Sequence, residues 1–364
     1  MNIFVFSTTY NSFNSYRPEH EIYLGLARRG HNVTMMTIPE DEHRYRYEEA
    51  GIRLIEHTTT KKICRETIGK IRQELQSNPY DIVYASSSRT IPNAGFACVG
   101  MDVKFVVYRG TTGGLYRHDP SAYLTILHPR VDGVVCVSDA VKNDVISKVW
   151  KKKNWVRTIY KGHDLNWYNV EAADLAEFGI QKKDFTLICA VNSRPSKGIA
   201  IMLEAAKHLK DISDLHIILA GNNMDKEPFS SLIKESGMAD RIHVAGYRFD
   251  VPQLIKASSV LVQPSISGEG LPRAVMESMA LGTPTIITTT GGGKEVVENG
   301  VSGFVVPIKD PLAIAQRVRE MYEQPALRQS MADSGLDKIR HQLSHEKTVD
   351  NYAKYFEEII NSES

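Results

Sequence analysis

Val260-Leu-Val-Gln263, then Pro264-Ser-Ile-Ser-Gly268-Glu269-Gly270-Leu271-Pro272, then Arg273-Ala-Val-Met-Glu277-Ser-Met-Ala-Leu-Gly-Thr-Pro284 read in turn as a strand, a glycine-bearing loop and a helix. At ~100° per residue Leu271, Val275, Met276 and Met279 fall on one apolar arc, and Arg273 and Glu277 share the narrow face opposite. A helix start beside Gly268 and Gly270 has free N–H groups suited to a phosphate, and a carboxylate a turn further on suits sugar hydroxyls. Glu269, in the loop, would face whatever the phosphate carries. The plainer alternative is an i,i+4 pair of Arg273 and Glu277 on a solvated face, which contributes only ~0.3–0.5 kcal/mol.

Working outward, the same alternation recurs along the chain. In the second half, strand-like runs stand at Thr186 to Ala190, Leu215 to Ala220, Ile242 to Ala245, Thr285 to Thr289 and Phe304 to Val306. In the first half they stand at Ile3 to Phe6, Val33 to Ile38, Ile82 to Tyr84, Phe105 to Tyr108, Val134 to Val137 and Val156 to Tyr160. Helical patterns lie between, the clearest from Glu19 to Arg29 with Gly30 as its stop. Strand, helix, strand implies a parallel sheet, so the fold class is α/β with two doubly wound domains. The boundaries predicted are 1–164, 165–345 and a closing helix, 346–364, with strand signals fading between Lys161 and Asp184. Domains joined in this way leave a cleft, and ligands bind outside the carboxyl ends of the strands.

Composition supports this reading without adding to it. At 364 residues the chain exceeds the size of a single core, and 44 basic against 43 acidic residues give no global field for nucleic acid or an anionic membrane. Cys64, Cys98, Cys136 and Cys189 lack metal or redox spacing and read as buried free thiols. The apolar run after Met1 is too short for a signal peptide, which predicts a cytoplasmic protein. A local basic cluster, Lys148, Lys151, Lys152, Lys153 and Arg157 with Trp150 and Trp155, would permit weak peripheral contact with the inner face of a membrane; the alternative is a connector with its tryptophans packed beneath.

A second loop carries chemistry: Ala190-Val-Asn192-Ser-Arg194-Pro-Ser-Lys197-Gly198, between a strand and the helix Ile199 to Leu209. Arg194 and Lys197 could clamp a diphosphate and neutralise it as it leaves. Alternatively Ser193 or Ser196 caps the helix and the cations are merely exposed.

Together with Thr289-Thr-Gly-Gly-Gly-Lys-Glu295-Val-Val-Glu-Asn-Gly300-Val-Ser-Gly303-Phe, these segments resemble the retaining GT-B glycosyltransferases of family 4. The likeness extends through Ser138 in Val-Ser-Asp-Ala-Val-Lys and Lys161-Gly-His-Asp164, with His163 and Asp164 expected to shape the hinge. It implies a nucleoside diphosphate sugar donor held by the C-terminal domain, no cofactor, no metal, retention of anomeric configuration, and a glycan, lipid-linked or small-molecule acceptor on the N-terminal side. Glu269 matches the glutamate facing the donor sugar, Glu277 the one holding the ribose, and Lys197 the phosphate lysine. Gly270, Leu271 and Arg273 would accompany them, and Tyr247 and Arg248 fall where the base is contacted, a surface turn being the equal alternative. The family's arginine, five before the lysine, is replaced by Asn192, and Arg194 is offered instead. The usual N-terminal glycine pair is absent from Thr8-Thr-Tyr-Asn-Ser-Phe-Asn-Ser-Tyr-Arg-Pro-Glu19, and Arg109-Gly110 stands where many members have a histidine. On the acceptor side Arg109 would suit an anionic group or else make a structural ion pair, and His118 could be a general base or else a merely solvated loop histidine. A binding or scaffolding protein of this fold that has lost transfer activity is the competing expectation.

Overall fold

The computed structural model describes residues 1–7, 13–38, 41–150 and 152–362. Two compact units form, one from Met1–Gly162 with His345–Ser364, the other from His163–Ser344. In the first, β1 (Asn2–Phe6), β2 (Asn32–Thr37), β3 (Arg53–Glu56), β4 (Ile82–Ala85), β5 (Lys104–Arg109), β6 (Gly133–Cys136) and β7 (Val156–Thr158) make one parallel sheet in the order β3-β2-β1-β4-β5-β6-β7. In the second, β8 (Phe185–Ala190), β9 (Leu215–Ala220), β10 (Ile242–Gly246), β11 (Val260–Gln263), β12 (Thr285–Thr288) and β13 (Gly303–Val306) run parallel in the order β10-β9-β8-β11-β12-β13. Both are doubly wound α/β sheets. The order reverses between β1 and β4 in one and between β8 and β11 in the other, which are the switch points where such sheets take ligands.

The strands form because their apolar runs are covered on both faces, as parallel sheets require. Leu187, Ile188 and Cys189 of β8 are wholly buried in a row, and so are Val260 and Leu261 of β11. The helix His345–Ile360 completes the first unit. Its Val349, Tyr352, Phe356 and Ile359, spaced three and four apart, enter the core with Ile22, Tyr23 and Leu26, and the Tyr352 hydroxyl lies 3.0 Å from that of Tyr84.

Several local expectations are corrected. The first helix runs Phe13–Arg28, not from Glu19, with Pro18 inside it. A proline removes one i→i−4 hydrogen bond, and near a helix start the tertiary core outweighs that loss. The edge strand β3 was not foreseen, being short and incompletely buried, nor was the helix Asp41–Glu49, almost wholly charged and without an apolar stripe. Cys98, Cys136 and Cys189 are buried free thiols, but Cys64 is half-buried, because it precedes the helix Arg65–Ser77 and is not inside an apolar run. Trp150 is 68% exposed with the Arg117 guanidinium 4.3 Å over its ring, so only Trp155 packs on the core; Lys151 lies outside the described residues. No described helix is long and apolar enough to cross a membrane.

Candidate active site

Three loops at the carboxyl ends of β8, β11 and β12 lock together. The Ile266 amide donates to the Ser196 carbonyl at 2.8 Å, joining the first two, and the Gly292 amide donates to the Gly270 carbonyl at 2.8 Å, joining the last two. Two glycines make this approach possible. A Cβ on Gly198 (φ +71°) would collide with the Pro264 carbonyl, and one on Gly291 (φ +50°) with the carbonyl of Glu269.

That closure brings together Lys197 and Glu269, 72 residues apart, with Nζ 2.6 Å from Oε1. The same oxygen accepts from Gln263 Nε2 at 3.0 Å and Ser265 Oγ at 2.5 Å. One carboxyl oxygen thus gathers a cation and two neutral donors. Gln263 and Ser265 escaped the sequence reading as site residues. The available signal was a polar side chain closing a buried Val-Leu-Val run, directly before Pro264-Ser265. The Thr288 hydroxyl bonds the Ser265 carbonyl and holds this loop to the end of β12.

Glu277 sits on the helix Arg273–Ala280, and only 7% of it is exposed. This corrects the two-faced picture. The helix packs on the sheet and also meets the helices Val251–Ala257 and Pro325–His341 and the turn Leu165–Tyr168; Glu277 is buried on it, while Arg273 stays 47% exposed with Nε 3.2 Å from Glu277. Burial pushes the Glu277 carboxyl above its usual range, against the pull of Arg273. Leu271 precedes the helix and is half-buried, Gly270 is buried, and Pro272 takes the cap position.

Asn192 and Arg194 are exposed, and the Asn192 side chain accepts the Arg194 amide at 3.3 Å. Pro195–Lys197 forms a single tight turn and Gly198 precedes the next helix, so neither Ser193 nor Ser196 caps it. Tyr247 is exposed beyond β10, its ring edge-on to Phe249, whereas Arg248 is held by Glu177 and Asp250 in four contacts of 2.8–3.0 Å. In the first unit, Arg109 braces its own loop through the Thr111 and Gly113 carbonyls, and Gly110 is beside it; His118 stacks on Tyr116 in the open. His163 bonds the Tyr168 hydroxyl at 2.6 Å and Asp164 caps the turn that follows, while Ser138 caps the helix Asp139–Ile146. In the N-terminal loop, residues 8–12 lie outside the described residues. Among the described residues no three His, Cys, Asp or Glu side chains group to hold a metal ion.

Residues 171–337 match the family of glycosyl transferases group 1, and residues 20–167 match glycosyltransferase family 4. The chain belongs to the GT-B glycosyltransferases. The first of these matches takes in Lys197, Glu269 and Glu277, and the second takes in Arg109. Among relatives, EpsD of Bacillus subtilis (strain 168) is 30% identical over 179 residues, 49% of this chain and 46% of EpsD. A UDP-Gal:alpha-D-GlcNAc-diphosphoundecaprenol alpha-1,3-galactosyltransferase of Escherichia coli is 26% identical over 65% of each chain. The matched stretch is thus less than two thirds of either relative. Among solved structures, Anabaena HepE in complex with UDP superposes with a TM-score of 0.80 at 17% identity, covering 98% of this chain and all of HepE, which is a likeness of fold.

Proposed function

We propose that this GT-B glycosyltransferase moves a glycosyl group from a nucleoside diphosphate sugar to a glycan, lipid-linked or small-molecule acceptor, with retention and without a metal, and that its C-terminal unit holds the donor. The observation that carries the proposal is the contact of Lys197 with Glu269 at the switch point between β8 and β11. Lys197 serves the leaving diphosphate, whose charge grows as the glycosidic bond breaks, and Arg194 gives a second cation beside it. With Lys197 drawn to the phosphate, Glu269 accepts hydroxyls of the donor sugar and holds the ring for attack. Glu277 takes the ribose hydroxyls, with Arg273, Gly270, Leu271 and Asn192 around the nucleotide. Tyr247 lies against the base; Arg248, already bound to Glu177 and Asp250, positions that turn.

Arg109, Gly110 and His118 belong to the acceptor side. The UDP held by the HepE structure and the UDP-Gal in the E. coli relative's name favour a uridine nucleotide, and that relative's acceptor is lipid-linked. A chain working on such an acceptor at the cytoplasmic face of a membrane has its own basic residues to rest on, Lys148 and Lys153 near the exposed Trp150.

The test is thermal stability with a panel of nucleoside diphosphates and their sugars. A bound nucleotide at 100 times its Kd adds about 2.7 kcal/mol. Product analysis by NMR then reads the anomeric configuration. A chain stabilised by none of the panel would refute the reading, and one that binds without transferring would be a non-catalytic member of the fold.

A further inference from the structure

A cavity of about 300 Å³ opens at the carboxyl ends of β4 and β5, wholly within the N-terminal unit. Its wall holds two cations, Lys62 and Arg109, with the hydroxyl residues Ser88, Thr111 and Thr125, and no Asp or Glu. Other basic side chains of this unit are neutralised nearby: Arg46 by Glu21, Arg53 by Glu74, Arg130 and Lys152 by Asp132, Arg157 by Glu358 and Lys161 by Glu19. Lys62 and Arg109 differ. Among the described residues neither has a carboxylate within ion-pair distance, Asp119 acting on the first and Asp144 on the second only from further away.

The guanidinium of Arg109 is held in place by the carbonyls of Thr111 and Gly113, which fix its direction and bring no carboxylate to it. Burial works against that charge, yet an arginine stays ionised. A fixed, half-buried cation sharing a hollow with an exposed one, and with no acid in its lining, is complementary to an anion, and the surrounding hydroxyls are complementary to a polyol. The volume is at the small end for ligand sites and has room for about one sugar ring with a charged substituent.

We propose that this cavity receives the anionic group, phosphate or carboxylate, of a sugar acceptor, with Lys62 and Arg109 as its counter-charges and Ser88 and Thr111 on the ring hydroxyls. The proposal rests on the glycosyltransferase reading above and names the substrate class on its acceptor side.

The experiment is calorimetric titration of the full chain with matched probes: galactose against galacturonic acid, and galactose against galactose 1-phosphate. Each titration is run with and without saturating UDP, so that the donor site is closed to the sugar phosphate. At least one anionic probe should bind about tenfold or more tighter than galactose, the worth of one charge-assisted hydrogen bond. Carboxylate and phosphate arms tell the two sources apart. Lys62→Gln, on an exposed side chain, should remove most of that advantage, and Ser88→Asp should reverse it. Arg109→Gln should do the same where its loop stays folded, and the first two variants decide the matter if it does not. Equal affinity for charged and neutral probes, or an advantage untouched by Lys62→Gln and Ser88→Asp, would overturn the proposal. Failure of every nucleoside diphosphate to bind would instead remove the donor reading, and the titrations without nucleotide would still decide whether the cavity selects anions.

Discussion

In the C-terminal unit Lys197 meets Glu269 at 2.6 Å, and in the N-terminal unit Lys161 meets Glu19 at 2.8 Å. Each pair stands by the switch point of its own parallel sheet, and each is largely buried. Their surroundings differ. Glu19 also accepts from the Tyr23 hydroxyl at 2.9 Å, and Lys161 lies 3.9 Å from the centre of the Tyr108 ring. Burial alone would raise the Glu19 carboxyl, but Lys161, with help from Ser86, holds it down at about 2. His20 next to it is buried between Ser7 and Tyr47, which desolvates it and lowers it to about 4. The first pair is therefore surrounded, among the described residues, by the protein's own rings and hydroxyls. The second is ringed by loops that depend on glycine to close, with amide and hydroxyl donors gathered on one carboxylate oxygen. The same two residue types make a brace in one sheet and a candidate ligand site in the other, and what surrounds them decides which.

Breaking the brace should have the largest effect, and on stability. Glu19→Gln strands Lys161 without a counter-charge and should cost about 3–5 kcal/mol in urea denaturation, while nucleotide affinity of the folded fraction is unchanged. The acid limb sharpens this. Because the folded pKa of Glu19 is depressed from 4.5 to about 2, its stabilisation is full above pH 4.5 and is lost as the pH falls towards 2. Glu19→Gln should flatten that limb; an unaltered acid profile would show that the pair contributes nothing.

At the other switch point, variants should act on ligands. Glu277→Ala removes a charged acceptor for ribose hydroxyls, each such bond contributing about 1.5–3 kcal/mol, so the nucleoside diphosphate Kd should rise by about tenfold or more. Since burial raises the pKa of Glu277, wild-type affinity should also weaken on acidification at a higher pH than an ordinary carboxylate would dictate, and Glu277→Gln should be insensitive there. Calorimetry across pH reads both.

Glu269→Gln keeps size and removes charge. Transfer should fall by at least about tenfold, ~1.4 kcal/mol of barrier, with nucleotide affinity near wild type, because the effect belongs to the sugar. Loss of affinity in step with activity would make Glu269 a brace like Glu19. The smallest effect should come from EDTA, which is expected to leave transfer rates unchanged; activity restored only by added Mg²⁺ or Mn²⁺ would contradict the assignment of the diphosphate to Lys197.

The two sheets were legible because burial on both faces writes itself as short apolar runs, and the helices between them as a 3.6-residue period. The glycine-bearing loops after β8 and β11 were legible as candidate ligand loops for the same local reason. Elements without an apolar pattern were not, as with β3 and the helix Asp41–Glu49. Nor could spacing along the chain say that Lys197 reaches Glu269 across 72 residues, with Gln263 and Ser265 on the same oxygen. It could not say that Glu277 is buried, that Glu177 and Asp250 hold Arg248, or that Lys62 and Arg109 line one cavity without an acid. Periodicity is a property of neighbours along the chain. Which loops meet is set by strand order and register, and the charge a side chain faces is set by what those pairings bring beside it.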